Sequence, residues 1–324
     1  MKRMRASLAI LFRLSVLFAV TGVALLPSVA MAEEGGSGHY LPGSMSSFVD
    51  GVPLTESVIF RLNVLNYNGE ASKSVTIPVA RTVTAGLKAE STAIGLSVAW
   101  RPSWGGSGDW SYAMSATIPY VWIDVSGDVA PLMIHQSDSL SGLGDIVLMP
   151  VLLNYNVNPD FNINTRLGFY APTGSYEVGR LANTGKNFWT IEPTVAFMYF
   201  GQKNGREASL FLGADFNQEN PDTHYKSGTQ VHADGTLAQH FPLWGGLAGA
   251  GITAFWYQQV TGDSGSGATL GDFKARDNGI GPVVSFAGKS GSRDVIGELK
   301  WLHEYGVKNR LSGDAVFFKM LMKF

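Results

Sequence analysis

The sequence predicts an all-β protein: a transmembrane, antiparallel, up-and-down β-barrel of about 12 strands. Three observations carry that expectation. The last residues alternate without a break, with Val316, Phe318, Met320, Met322 and Phe324 on one side of an extended strand and Phe317, Lys319, Leu321 and Lys323 on the other. One face is wholly apolar and the other carries two ammonium groups, as a strand needs when lipid lies outside it and water inside. Composition is the second observation: 39 Gly, 8 Trp, 11 Tyr and 18 Phe with only 15% charged residues fit many short strands, tight turns and aromatic belts. Third, the mean hydropathy is near zero, too low for a helical membrane protein but natural where lipid-facing and water-facing residues alternate. Past the first 32 residues no run of about 18 apolar residues occurs.

Residues 1–32 read as a signal peptide. Lys2, Arg3 and Arg5 form a basic stretch, residues 14–26 an apolar one, and Ala30, Met31 and Ala32 an A-x-A cleavage site, so the mature chain is expected to start at Glu33. The rival reading, a signal anchor, is disfavoured by the short apolar run and by Pro27. Removing the segment takes away four basic residues and no acidic one, moving the formal charge from −2 to −6. That excludes a strongly basic nucleic-acid binder. With no Cys there is no disulfide framework, thiol chemistry or lipidated N-terminal Cys, and stability must come from a continuous hydrogen-bonded sheet.

Residues 33–56 form a Gly/Ser/Pro-rich leader, expected either to hang free or to enter the mouth of the barrel as a plug. Residues 57–324 are the barrel. Its first strand is placed at 58–67, with Val58, Phe60, Leu62 and Val64 outward and Arg61 and Asn63 inward. Strands at 73–86 and 90–100 follow, then 110–124, where aromatics stand at both ends of an outward face, as at two membrane interfaces. Residues 145–156 and 161–170 make a hairpin, the second strand pointing Asn162, Asn164 and Arg166 inward. Strand 188–200 points Glu192 and Thr194 inward, 225–241 carries His232, Asp234 and His240 on one face, and 293–304 carries Glu298 and Lys300. Further strands are expected at 208–217, 244–260 and 279–286; with the terminal strand these make thirteen candidate stretches, and because single-chain bacterial barrels take even numbers the expected count is twelve. Short turns at 157–160 and 202–205 would be periplasmic. Polar segments 126–142, 173–186, 217–228 and 261–278 would be extracellular loops.

The pore-lining candidates are therefore Arg61, Asn63, Asn162, Asn164, Arg166, Glu192, Thr194, His232, Asp234, His240, Glu298, Lys300 and Lys319. The charged ones, with Asp215 and Lys323, are expected to pair across the lumen. His232 and His240 share a face but lie roughly 26 Å apart at the rise of a strand, too far for one metal. No metal, cofactor or catalytic residue is expected: the Ser residues cluster with Gly in loops, and no motif sets one beside a His.

Two stretches carry a family resemblance. Gly142, Leu143, Gly144 and Asp145 precede Pro150, and Gly168-Phe169-Tyr170-Ala171-Pro172-Thr173-Gly174-Ser175-Tyr176 continues through Asn183-Thr184-Gly185-Lys186-Asn187-Phe188-Trp189-Thr190 to Pro193. With His39-Tyr40-Leu41-Pro42-Gly43 and Tyr225-Lys226-Ser227-Gly228 they resemble the MetA-pathway of phenol degradation family of proteobacterial outer-membrane proteins. The resemblance implies an outer-membrane location in a Gram-negative cell and a passive channel for small hydrophobic or aromatic compounds. The last strand is similar to the terminal strand of Gram-negative outer-membrane barrels, which implies that the barrel-assembly machinery reads Phe324. Outer-membrane lipids and small solutes are the other expected partners. A non-conducting structural or adhesive barrel is the alternative, with a lipid-modifying barrel enzyme behind it.

Overall fold

The computed structural model describes residues 34–72, 75–271 and 274–324, and the segment expected to be a signal peptide lies outside them. One antiparallel sheet contains every strand. In chain order these are β1 (Ser57–Glu70), β2 (Thr76–Val79), β3 (Thr82–Arg101), β4 (Gly106–Ser107), β5 (Trp110–Val129), β6 (Ile134–Leu143), β7 (Ile146–Asn158), β8 (Phe161–Ala171), β9 (Thr190–Phe200), β10 (Arg206–Asn217), β11 (Gln230–Leu243), β12 (Gly246–Gln259), β13 (Arg276–Ser290), β14 (Arg293–Lys308) and β15 (Ser312–Lys323). Twelve close a barrel; β2, β4 and β6 are additions to it. Closure falls between the ends of the chain: β1 pairs with β3 on one side and β15 on the other, Asn63 opposing both Gly95 and Lys319. Reciprocal bonds between Val58 and Phe324 finish the seam.

The alternation expected of the last strand is the alternation found. Val316, Phe318 and Met320 are exposed on the outer wall, while Phe317, Lys319 and Leu321 are buried inside. The outer aromatics of β5, Trp110, Tyr120 and Trp122, are exposed in the same way. This face is what a hydrocarbon solvent would cover.

Two expectations along the chain need correction. Residues 75–86 are not a spanning strand: β2 is a four-residue arm that turns through Ala80 and Arg81, at φ +44° and +72°, into β3. The expected third strand is the continuation of β3, which runs for 20 residues. A tight turn with positive φ usually announces itself by Gly or Asn, and this one does not. Residues 126–142 are not a loop either. β5 runs on to Val129 and β6 folds back along it, from Val129 opposite Ile134 to Tyr120 opposite Leu143. Lower down β5 pairs with β7 instead, so β6 prolongs the wall above β7. Its residues are mostly polar, and among the described residues Leu140 is its one contact with the apolar cluster below the 172–189 segment, too little to leave a periodic signal. Smaller shifts place Trp244 and Gly245 in a turn and bring β13 forward to Arg276.

The tight connections after β7, β9, β11 and β13 all lie at the end that holds the start of β1 and the end of β15. The longer ones lie at the other end. There the segment 172–189 packs along β6: Arg180 forks onto Asp138 at 2.8 and 3.1 Å, and Ala182 N–H donates to the same carboxylate. Ile77, Leu87, Val125, Leu181 and Leu311 form an apolar cluster beneath it.

Candidate functional site

The interior of the barrel holds the leader. It forms no strand, only two 3-10 turns, Glu34–Gly36 and Phe48–Asp50, and it passes from the loop end down to the start of β1. Near the loops the ammonium of Lys186 donates to Ser37 Oγ at 2.8 Å. Deeper, Tyr40, Ser46, Ser47, Val49 and Asp50 are almost wholly removed from solvent. A backbone without a ladder must find its partners in side chains. Here inward-facing side chains of β1, β8, β10, β11, β14 and β15 supply them.

One wall is cationic. Lys319 of β15 donates to both carboxylate oxygens of Asp50 at 2.5 and 2.7 Å and to Ser44 O at 2.5 Å. Arg61 of β1 reaches Asp50 at 3.3 Å and Val49 O at 3.0 Å. Arg166 of β8 donates to Asp50 O and, at 2.9 Å, to Asn164 Oδ1. Lys300 of β14 donates to Ser46 Oγ at 2.9 Å, and its neighbour Glu298 accepts from Ser47 Oγ. Asp50 is thus a fixed anion enclosed by lysine and arginine from three strands.

The facing wall is acidic, and the leader meets it with neutral donors. Tyr40 OH and, at 2.6 Å, Gly43 N–H both donate to Asp234 of β11. Phe48 N–H donates to Glu207 of β10 at 2.7 Å. Gly43 sits at φ +80°, and a Cβ there would stand 2.2 Å from Leu302 Cδ1, so both backbone conformation and space call for glycine. The Tyr40 ring stacks on the imidazole of His232 with centroids 3.6 Å apart. Nearby, Tyr40, Leu65, Phe255, Tyr257, Leu302 and Phe317 make an apolar patch inside the lumen.

At the loop end, His39 joins the leader to the turn before β7 and to β9: its Nε2 lies 2.9 Å from Asp145 and its Nδ1 2.7 Å from Thr190 Oγ1. Asp145 also accepts from Gly174 N–H at 2.8 Å and Lys186 N–H at 2.7 Å. Burial lowers the pKa of His39 against the opposing pull of Asp145. For Asp145 burial acts upward, but hydrogen bonds and charge from His39 and the two backbone donors hold it below the usual carboxylate value.

All thirteen residues nominated from the sequence sit on inward faces. Arg61, Arg166, Glu298, Lys300 and Lys319 gather at the cationic wall, and Asn63 bonds to Gly95 O and Ser97 Oγ in the wall itself. Asn164 is buried and Asn162 partly so. Glu192 accepts from Tyr170 at 2.5 Å and Thr194 at 3.1 Å. The two histidines have separate partners: His240 Nε2 lies 2.8 Å from Glu207, and His232 Nδ1 lies 3.1 Å from Asp234. Reasoning from the sequence missed Asp50, Tyr40 and Glu207. The signal was available for Asp50: Arg61, Lys300 and Lys319 on adjacent inward faces exceed the single Glu298, so an anion had to come from elsewhere.

Solved structures of similar fold include an outer membrane channel from Pseudomonas putida F1, 14% identical with a TM-score of 0.64, covering 88% of this chain and 100% of that one. The β-domain of the Bordetella autotransporter BrkA is 9% identical with a TM-score of 0.50, over 83% of this chain and 100% of that one. At these identities the likeness is one of fold: an outer-membrane-type barrel. Among curated proteins none matches. The family model described as MetA-pathway of phenol degradation matches residues 69–320.

Proposed function

We propose, from the premise that the chain belongs to the MetA-pathway of phenol degradation family, that it is a passive outer-membrane channel for small hydrophobic or aromatic compounds, closed at rest by its own leader. The observation that carries the reading is how the leader is held. It fills the lumen yet shares no β-ladder with the wall, being bound through side chains such as Lys319, Lys300, Asp234 and Glu207. A segment bound in this way can leave without unzipping the barrel, whereas a ladder strand cannot. The apolar patch around Phe255, Tyr257, Leu302 and Phe317 then offers a surface for hydrophobic solutes part-way along the lumen. Flux would be downhill, driven by the solute gradient alone.

The test is single-channel conductance of the refolded protein in a planar bilayer, with and without residues 33–56. The expected result is low conductance for the full chain, a rise on deletion, and block of that current by an aromatic solute. No conductance from either form, with no uptake of aromatic solutes into liposomes, would replace the channel with a non-conducting structural barrel.

A further inference from the structure

The acidic wall contains a constellation that extends beyond the contacts holding the leader. We propose that Glu192, Asp215 and His232 form a binding site for a first-row divalent transition-metal ion of the zinc type, with Asp234 orienting the histidine from behind. The proposal is independent of whether the barrel conducts.

The argument begins with register. His232 on β11 stands opposite Gly213 on β10, which in turn stands opposite Thr194 on β9. A Cβ on Gly213 would lie 2.3 Å from His232 Nε2, so the missing side chain is what lets the imidazole lean across β10 toward Glu192. The ring reaches a point where three potential ligand atoms lie within 4.8 Å of one another. His232 Nε2 is 3.5 Å from Glu192 Oε1 and 4.0 Å from Asp215 Oδ2. Tetrahedral ligands about 2.05 Å from a zinc ion are about 3.4 Å apart, so the two distances from the imidazole already lie within about 0.6 Å of that spacing.

A second observation concerns the histidine alone. His232 is 2% exposed, and its Nε2 makes no hydrogen bond among the described residues. Its other nitrogen lies against Asp234, and the Tyr40 ring fixes the plane of the imidazole from one side. A carboxylate behind one ring nitrogen, with the other nitrogen directed at acidic oxygens, is the arrangement by which proteins orient a metal-binding histidine. Three carboxylates, Glu192, Asp215 and Asp234, are enclosed here around one imidazole, and the leader brings only the hydroxyl of Tyr40 and the amide of Gly43. The imidazole balances these carboxylates only when protonated, and a dication bound where they converge supplies counter-charge with the ring neutral. An imidazole among the donors favours a transition ion over Mg2+ or Ca2+, which prefer all-oxygen shells.

The experiment uses the full mature chain, stripped with a chelator, dialysed against Zn2+ and counted by elemental analysis, with Co2+ absorption as a reporter of ligand geometry. The expected result is one Zn2+ per chain. His232→Gln and Glu192→Gln should weaken binding at least about tenfold, and Asp234→Asn, which leaves the ligands in place, by roughly 10- to 100-fold. His303→Gln, which removes an exposed histidine, should change nothing. Heat-modifiable migration in gels reports whether each variant folds. Should the core variants fail to fold, X-ray absorption on the wild-type zinc form decides, the expected shell being one imidazole with carboxylate oxygens. Failure of the wild type to retain zinc, unchanged binding in folded His232→Gln, or a shell without imidazole would overturn the site.

Discussion

Lys319 on the last strand and Asp50 in the leader meet across 269 positions of sequence, with the ammonium 2.5 and 2.7 Å from the two carboxylate oxygens. Both side chains are buried, Asp50 completely. Removing one partner of such a pair costs about 3–5 kcal/mol because the other charge is left desolvated. Lys319→Met should fall at the low end of that range, since Arg61 still reaches Asp50. Denaturant midpoints in detergent will measure it, and the double change Asp50→Asn with Lys319→Met should recover part of the loss. Equal midpoints for wild type and Lys319→Met would mean that the leader is not docked.

Gly43→Ala tests the backbone of the leader. Positive φ costs a residue with a Cβ about 1–2 kcal/mol, and the contact with Leu302 adds to it. The expected outcome is a barrel that still folds but whose leader is cut faster by an added protease. Cleavage at the wild-type rate would refute the placement of Gly43 against β14.

The outer wall makes a separate prediction about solvent. Ile252, 58% exposed near the middle of β12, should face hydrocarbon, so Ile252→Arg should destabilise folding into bilayers by about 2–4 kcal/mol. Trp244 is more exposed still but lies in a turn, and Trp244→Arg should cost about 0–1 kcal/mol. Equal costs at the two positions would contradict a membrane band at the height of Ile252.

Acid should loosen the loop end first. The folded pKa of His39 and that of Asp145 are both lowered, so each group binds protons less readily in the folded state than in the unfolded one. Each therefore stabilises the fold fully above its ordinary value, and the contribution is lost as pH falls toward the folded one. For His39 the loss begins near its ordinary 6.5, and for Asp145 in the carboxylate range. Asp138, held low chiefly by its hydrogen bonds from Arg180, follows the same sign. Hydrogen exchange at Gly174, Ala182 and Lys186 should show protection at pH 7 that fades below about pH 4. Protection independent of pH would exclude these carboxylates as the clasp.

What the sequence disclosed follows from period. β15, β8 and the middle of β5 alternate between lipid and lumen, and their inward residues could be named one by one. Ala80 and Arg81 turn the chain without turn chemistry, and β6 has no apolar face, so neither left a periodic trace. The leader is irregular, and nothing in its order says that Tyr40 meets Asp234 or that Asp50 meets Lys319. His232 and His240 lie on one strand with separate partners, Asp234 and Glu207. The groups facing His232 come from β9 and β10, and it is the register of β9, β10 and β11 that aligns them, which the sequence of one strand cannot show.

The position of the seam constrains the history of the molecule as well as its shape. β1 follows directly from the leader, and it closes against β15. Lys319, the residue that grips Asp50, belongs to that closing strand. Until β15 arrives, the leader lies against an open, curved sheet and can be laid in sideways. Afterwards it could enter only end-on, through a ring already narrowed by side chains. Enclosure of the leader and completion of the ring are therefore expected to be a single event in biogenesis, with residues 34–56 held in place only once β1 and β15 have paired.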